Sequence, residues 1–294
     1  MAAADEVSIY EKQPDPFLTV RVHRLDLQPT VHGLCAGYEK GAWRNEGLAG
    51  YLFEYLPEFA LRYEELGPRG HEEWVSRLVE AAKAIYTTEK FKRRGEFGEL
   101  LLHAVVREIW KSDPAVSKIY YKDSPNDTVK GFDAVHLVCP SDGELEILLG
   151  EVKFYKSIDR AMTDVAKELR DHFDNDGWLK AEFAAITRKV DASWPRAEEF
   201  KNLLHRRKSL DEIADRIRVP VLLTYESDCV SGHTACTKAY CEQFETEILD
   251  VRQRFEGKKL PKDVVIELLL VPMKQKKELL KIFEKKLRSW QGIA

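Results

Sequence analysis

Between Gly131 and Lys156 the chain reads GFDAVHLVCPSDGELEILLGEVKFYK, two apolar runs separated by Pro140, Ser141, Asp142 and Gly143. A Pro-Ser-Asp-Gly cluster between strand-like runs is a turn signal, so the stretch predicts an antiparallel hairpin. Centring the turn on Asp142 sets Val135 opposite Leu149, Leu137 opposite Ile147, and Asp133 opposite Glu151. Directly opposed residues point to one face with Cβ atoms roughly 4.5–5.5 Å apart. Lys153, two residues beyond Glu151, joins that face. The face is therefore apolar along its length and charged only at the end that holds Asp133, Glu151 and Lys153. Two opposed carboxylates repel and destabilise a hairpin unless a cation lies between them. Magnesium takes one or two carboxylates, keeps several waters and accepts phosphate oxygens in its other positions. A neighbouring lysine can orient or help deprotonate a water and can stabilise charge on a phosphate. These residues point to metal-assisted phosphodiester hydrolysis, with Mg2+ as the ion and Mn2+ as a substitute. A surface salt-bridge cluster is the bland alternative.

The hairpin sits within a helix–strands–helix–strands order. Residues 94–110 predict a helix, with Phe97, Leu101, Ala104, Val105 and Ile109 on one side and Glu96, Glu99, His103 and Arg107 on the other. It should end before Pro114. Strand-like runs follow at 118–121, 132–139 and 145–155, then helices at 159–173, 178–189, 196–205 and 209–217. Residues 219–225 and 264–271 read as buried strands and 274–290 as a final helix. This order predicts an α/β fold with a mixed central sheet flanked by helices. Upstream, residues 18–27 alternate as a strand, and 42–65 and 72–87 read as helices broken by Gly67, Pro68 and Gly70. The expected organisation is an N-terminal accessory segment over 1–90 and a catalytic-type domain over 91–294. A glutamate of the 94–110 helix is expected to assist the centre, Glu99 ahead of Glu96 because it lies nearer the middle of the polar stripe.

The set of a helix acid, Asp133, and Glu151-Val152-Lys153 resembles the PD-(D/E)xK nuclease superfamily, in which an acidic residue on the first helix precedes a strand Asp and a (D/E)-x-K strand. Phe132 stands where the name-giving proline would be. More of the chain is similar to the HamA family of the Hachiman antiphage system, through RRGEFGELLLHAVV, KGFDAVHL, LLGEVKFYKS and LLLVPM followed by a lysine-rich helix. This resemblance implies a DNA-degrading effector that works with a superfamily 2 DNA helicase, HamB, and is held in check until the helicase meets suitable DNA. Two alternatives stay open. One is a non-catalytic scaffold or sensor of the same fold. The other is a restriction-type endonuclease with its own sequence specificity.

The net charge of −4 excludes a chain that coats nucleic acid by overall charge, so any DNA contact must be local. Lys92, Arg93, Arg94, Tyr121, Lys122, Lys130, Tyr155, Lys156 and Arg160 could form such a rim, and Arg206–Lys208 a second basic run. No apolar run nears the length of a membrane span. The N-terminal MAAADEVSIYEKQ lacks a basic start followed by an apolar stretch, so no signal peptide is expected. Five irregularly spaced cysteines suggest no disulfide framework and fit a reducing cytoplasm. Cys229, His233, Cys236 and Cys241 are too compressed for the usual paired zinc spacing and read as ordinary cysteines and histidine. His103 and His136 read as packing residues.

Overall fold

A computed structural model describes residues 9–10, 12–67, 71–85, 95–116, 131–140, 144–205 and 209–292. In chain order the elements are β1 (Thr19–Arg24), β2 (Thr30–Cys35), β3 (Tyr38–Glu39), β4 (Ala42–Trp43), α1 (Asn45–Ala60), α2 (Tyr63–Leu66) and α3 (His71–Ala84). They continue with α4 (Glu96–Trp110), β5 (Asp113–Val116), β6 (Ala134–Val138), β7 (Glu146–Phe154), α5 (Ile158–Phe173), α6 (Asp176–Lys189), α7 (Ala197–Leu203) and α8 (Leu210–Ala214). The last are β8 (Ile217–Glu226), α9 (Asp228–Gly232), α10 (Lys238–Glu256), β9 (Val265–Met273) and α11 (Lys276–Gln291). The expected strand at 118–121, the turn residues Ser141–Gly143 and the basic run Arg206–Lys208 lie outside the described residues.

Seven strands form one mixed sheet in the order β1-β2-β9-β8-β7-β6-β5, as the α/β reading requires and as an α/β nuclease-like core would have. The β7–β8, β8–β9 and β9–β2 pairs are parallel; β1–β2, β5–β6 and β6–β7 are antiparallel. β8 and β9 are buried almost throughout, because parallel strands covered on both faces need near-continuous apolar sequence. Glu267, the one acid in the β9 run, is buried; Arg218 Nη1 donates to it at 3.1 Å and the Thr30 hydroxyl also donates. Burial alone would raise its pKa, but these donors and His32 outweigh that and lower it.

The strand period of two assigns the helices to faces. Gly150, Val152 and Phe154 face α4. A β-carbon on Gly98 would come within 2.9 Å of Phe154 Cβ, and one on Gly150 within 2.9 Å of Leu102 Cδ2, so each glycine makes room for a side chain of the facing element and lets helix and strand pack closely. α1, α3 and α11 stack outside α4, with Phe283 of α11 meeting Phe97 of α4 and Phe53 of α1. α5 covers the opposite face of β7 and β8, and α10 lies against β1 and β2. Residues 1–90, read as accessory, thus contribute two strands of this sheet and the buried helix α1. The junction is a buried clamp. Arg107 of α4 is 0% exposed; its Nε donates to Glu58 Oε2 of α1 at 2.9 Å and its Nη2 to the Tyr10 carbonyl at 2.6 Å. Among the described residues no helix is long and apolar enough to cross a membrane.

Candidate active site

The observed β6–β7 register is Val135 with Leu149, Leu137 with Ile147 and Ala134 with Gly150, as the turn residues imply. One step further, Asp133 stands across from Glu151. Its backbone N–H donates to the Gly150 carbonyl at 2.8 Å, and its Oδ2 accepts from the Val152 N–H at 2.9 Å. The Asp133 carboxylate thus takes over as acceptor where main-chain pairing stops. Because alternate residues face opposite ways, Glu151 and Lys153 point away from α4 and toward α5.

α5 supplies partners that the sequence reading did not single out. Ser157 caps its start, accepting from the Arg160 N–H at 3.4 Å, and the helix runs back across the face that Glu151 and Lys153 occupy. Glu168 forms an ion pair with the Lys153 ammonium. One turn later, His172 Nδ1 lies 3.2 Å from Glu151 Oε1. The His172 ring stacks on Trp178 at 3.9 Å between centroids, and Phe132 meets both rings edge-on. Glu151 is 2% exposed and Lys153 9%, so both side chains sit in a low-dielectric setting, Glu151 beside this aromatic wall. Burial would lower the Lys153 pKa, but the carboxylates of Asp133, Glu151 and Glu168 more than offset it and raise it. The lysine is therefore a cation at neutral pH. Glu168 and His172 are an i, i+4 pair on the helix that follows the E-x-K strand, which is the signal that could have found them.

Asp133, Glu151 and Lys153 are brought together at the C-terminal end of β7. Glu96 and Glu99 are placed differently. They begin α4, whose first turn lies over Val152 and Phe154 at the same end of the strand but on the opposite face. Glu96 is buried and Glu99 half-buried. Tyr155, Lys156 and Arg160 of the expected basic rim follow directly from Phe154, whereas Lys92, Arg93, Arg94, Tyr121, Lys122 and Lys130 lie outside the described residues. His103 and His136 are buried on the α4 face, 5.1 Å apart, and the Ser112 hydroxyl is 2.9 Å from His136 Nδ1.

Among the described residues no three His, Cys, Asp or Glu side chains form a ready metal cage. The Asp133–Glu151 pair nonetheless has the donor chemistry that magnesium takes: two carboxylates on adjoining strands, with water or phosphate oxygens completing the shell. Cys229, His233, Cys236 and Cys241 hold other contacts, among them His233 Nδ1 at 2.9 Å from the Cys229 carbonyl and Arg21 Nη1 donating to Cys241 Sγ at 3.4 Å.

The model of the HamA family matches residues 13–287, nearly the whole chain. No curated protein matches it.

Proposed function

The chain belongs to the HamA family, and so to Hachiman antiviral defence, and from that premise we propose that it is a metal-dependent DNA nuclease acting in the cytoplasm as the effector of a complex with a superfamily 2 DNA helicase. The observation that carries this is the convergence of Asp133, Glu151 and Lys153 at one end of β7, where strand alternation leaves the rest of the face apolar. Asp133 and Glu151 would hold Mg2+ or Mn2+, and Glu99, ahead of Glu96, would assist from α4 through a water at the strand end, since α4 packs on the opposite face. When bound, the ion supplies Lewis-acid charge that activates a water and offsets the charge growing on the phosphate. The cationic Lys153, steadied by Glu168, donates to a phosphate oxygen and stabilises the developing negative charge. Its ion pair with Glu168, a carboxylate outside the proposed metal pair, supports this electrostatic role over that of a general base, which would need a neutral amine. The aromatic wall of Phe132, His172 and Trp178 excludes water from one side of the carboxylates.

A second reading, a non-catalytic scaffold in the same complex, is favoured by the burial of Glu151 and Lys153 and by their contacts with His172 and Glu168. Incubating DNA with the purified chain, its helicase partner, ATP and magnesium separates the two. The nuclease should cut, stop on addition of EDTA, and lose about a hundredfold or more of its rate in Glu151→Ala and Lys153→Ala. No cutting by the wild type in any activated state would leave the scaffold standing.

A further inference from the structure

A groove of about 990 Å³ opens at the C-terminal end of β7, between the start of α5 and the first turns of α11. Its floor is Tyr155 and Lys156, which directly follow Lys153 and Phe154. Arg160 lines one wall and Lys276, Lys277 and Lys281 the other, with Glu284 the one acid among the lining residues. Five cations line it against one carboxylate, and although Glu226 pairs with Lys156 at 3.4 Å and Asp164 with Arg160 at 3.6 Å from beside it, the groove stays positive on a chain whose net charge is −4. The two halves lie far apart in sequence and meet only through the fold.

The groove holds its charges at a cost. Lys276 is half-buried; burial and the neighbouring Lys156 both lower its pKa, Glu226 only partly compensating. Its ammonium donates to the Phe154 carbonyl and lies 4.4 Å from the Phe154 ring centroid, which fixes α11 against the strand that carries Lys153. Lys277 and Lys281 stand four residues apart on one helical face, an arrangement that destabilises a helix by like-charge repulsion. Among the described residues neither has an acidic partner within ion-pair distance. Arg160 lies over the Tyr155 ring at 5.2 Å, keeping a cation and an aromatic surface together on the floor. Cations crowded in a groove with an aromatic floor suit a polyanionic strand, whose phosphates offset the repulsion and whose bases meet the aromatic surface.

We propose that this groove binds the sugar-phosphate backbone of one DNA strand, gripping successive phosphates without reading sequence and leading the strand to the Asp133–Glu151–Lys153 end of β7. The proposal rests on the nuclease reading for what happens to the strand, while the binding itself is tested separately. Anisotropy of a short fluorescent single-stranded oligonucleotide with the full chain, in EDTA across a salt series, measures it. The double variant Lys277→Gln/Lys281→Gln should reduce the slope of log affinity against log salt by about 1.4 and weaken binding roughly 25-fold at about 0.1 M salt, from a contribution near 0.7 per cation. Lys238→Gln/Lys285→Gln, with the same change in net charge outside the groove, should bind as the wild type does. An equal loss in both double variants, no loss in the groove variant, or no binding by the wild type overturns the groove. Cutting that is abolished by Glu151→Ala, with groove variants binding normally, sinks the groove and spares the nuclease. DNA bound through the groove but never cut sinks the nuclease and spares the groove.

Discussion

Replacing Glu58 by glutamine removes the countercharge from a guanidinium that water cannot reach. Arg107 is fully buried, with Nε 2.9 Å and Nη2 3.4 Å from the two Glu58 oxygens and further bonds to the Tyr10 and Ser112 carbonyls. The amide keeps the shape of the carboxylate but turns one acceptor into a donor facing other donors. Breaking a buried pair by neutralising one partner costs about 3–5 kcal/mol, because the remaining charge stays desolvated. With an unfolding entropy of about 2.1 cal/mol/K per residue, a chain of this length should then melt about 5–8 °C lower. Replacing both members with apolar residues, Glu58→Leu with Arg107→Met, should cost several kcal/mol less than the two single changes summed. Urea unfolding of the wild type, Glu58→Gln, the two single changes Glu58→Leu and Arg107→Met and their double, followed by far-ultraviolet circular dichroism and by tryptophan fluorescence, measures both terms. The two probes should move together, because the pair ties α1 and Tyr10 to the helix that backs β7. A loss below about 1 kcal/mol for Glu58→Gln, as an exposed pair would give, or simple additivity of the single changes, would refute the reasoning.

Two further outcomes follow from the site and its surroundings. Glu168→Gln should leave DNA binding intact and slow cutting by about 10–100-fold, since it frees Lys153 to wander without touching the substrate; an unchanged single-turnover rate would remove Glu168 from the centre. His136, whose pKa burial, aided by Arg107, pushes down to about 3, should make the fold acid-sensitive. Below its ordinary value near 6.5 the unfolded chain takes up a proton that the folded chain refuses, so stability falls as pH drops from that value toward 3. At pH 5 the loss is about 2 kcal/mol relative to pH 8, and a His136→Asn variant lacking that part of the slope in urea titrations is the expected result.

The hairpin that carries the centre was legible because its information is local. Pro140 to Gly143 marked the turn, alternation marked the faces, and together they fixed which residue stands across from Glu151. The helices α4, α5 and α11 were legible by apolar spacing. β2 was not: His32 and Gly33 interrupt its apolar pattern, and its burial depends on β9, 237 residues away at the Thr30–Glu267 contact. β5 was obscured because Pro114 reads as a helix stop, and it lies on the sheet edge, where a residue without an N–H is tolerated. α10 carries Tyr240, Phe244, Ile248, Val251 and Phe255 at helical spacing, a signal that a reading centred on the cysteines passes over. Glu168 and His172 required knowing that α5 returns over the face of Glu151 and Lys153. The separation of Glu96 and Glu99 from that face likewise depends on which side of the sheet α4 packs, and a helical wheel has no term for that.

The pairing of β2 with β9 also sets an order of events during synthesis. β2 has six buried residues, yet the parallel neighbour that flanks it, with the centre of the sheet beyond, is made 237 residues later, counted from Thr30 to Glu267. Until then Thr30–Cys35 can hold only its hairpin with β1, and a hairpin of two strands is barely stable in water. The nascent chain must therefore carry a sticky ribbon until β9 is made, and closing it is a long-range, slow step. A ribosome stalled before residue 265 would release a product whose N-terminal strands have no sheet to join, a substrate for chaperones and proteases and not a smaller working protein.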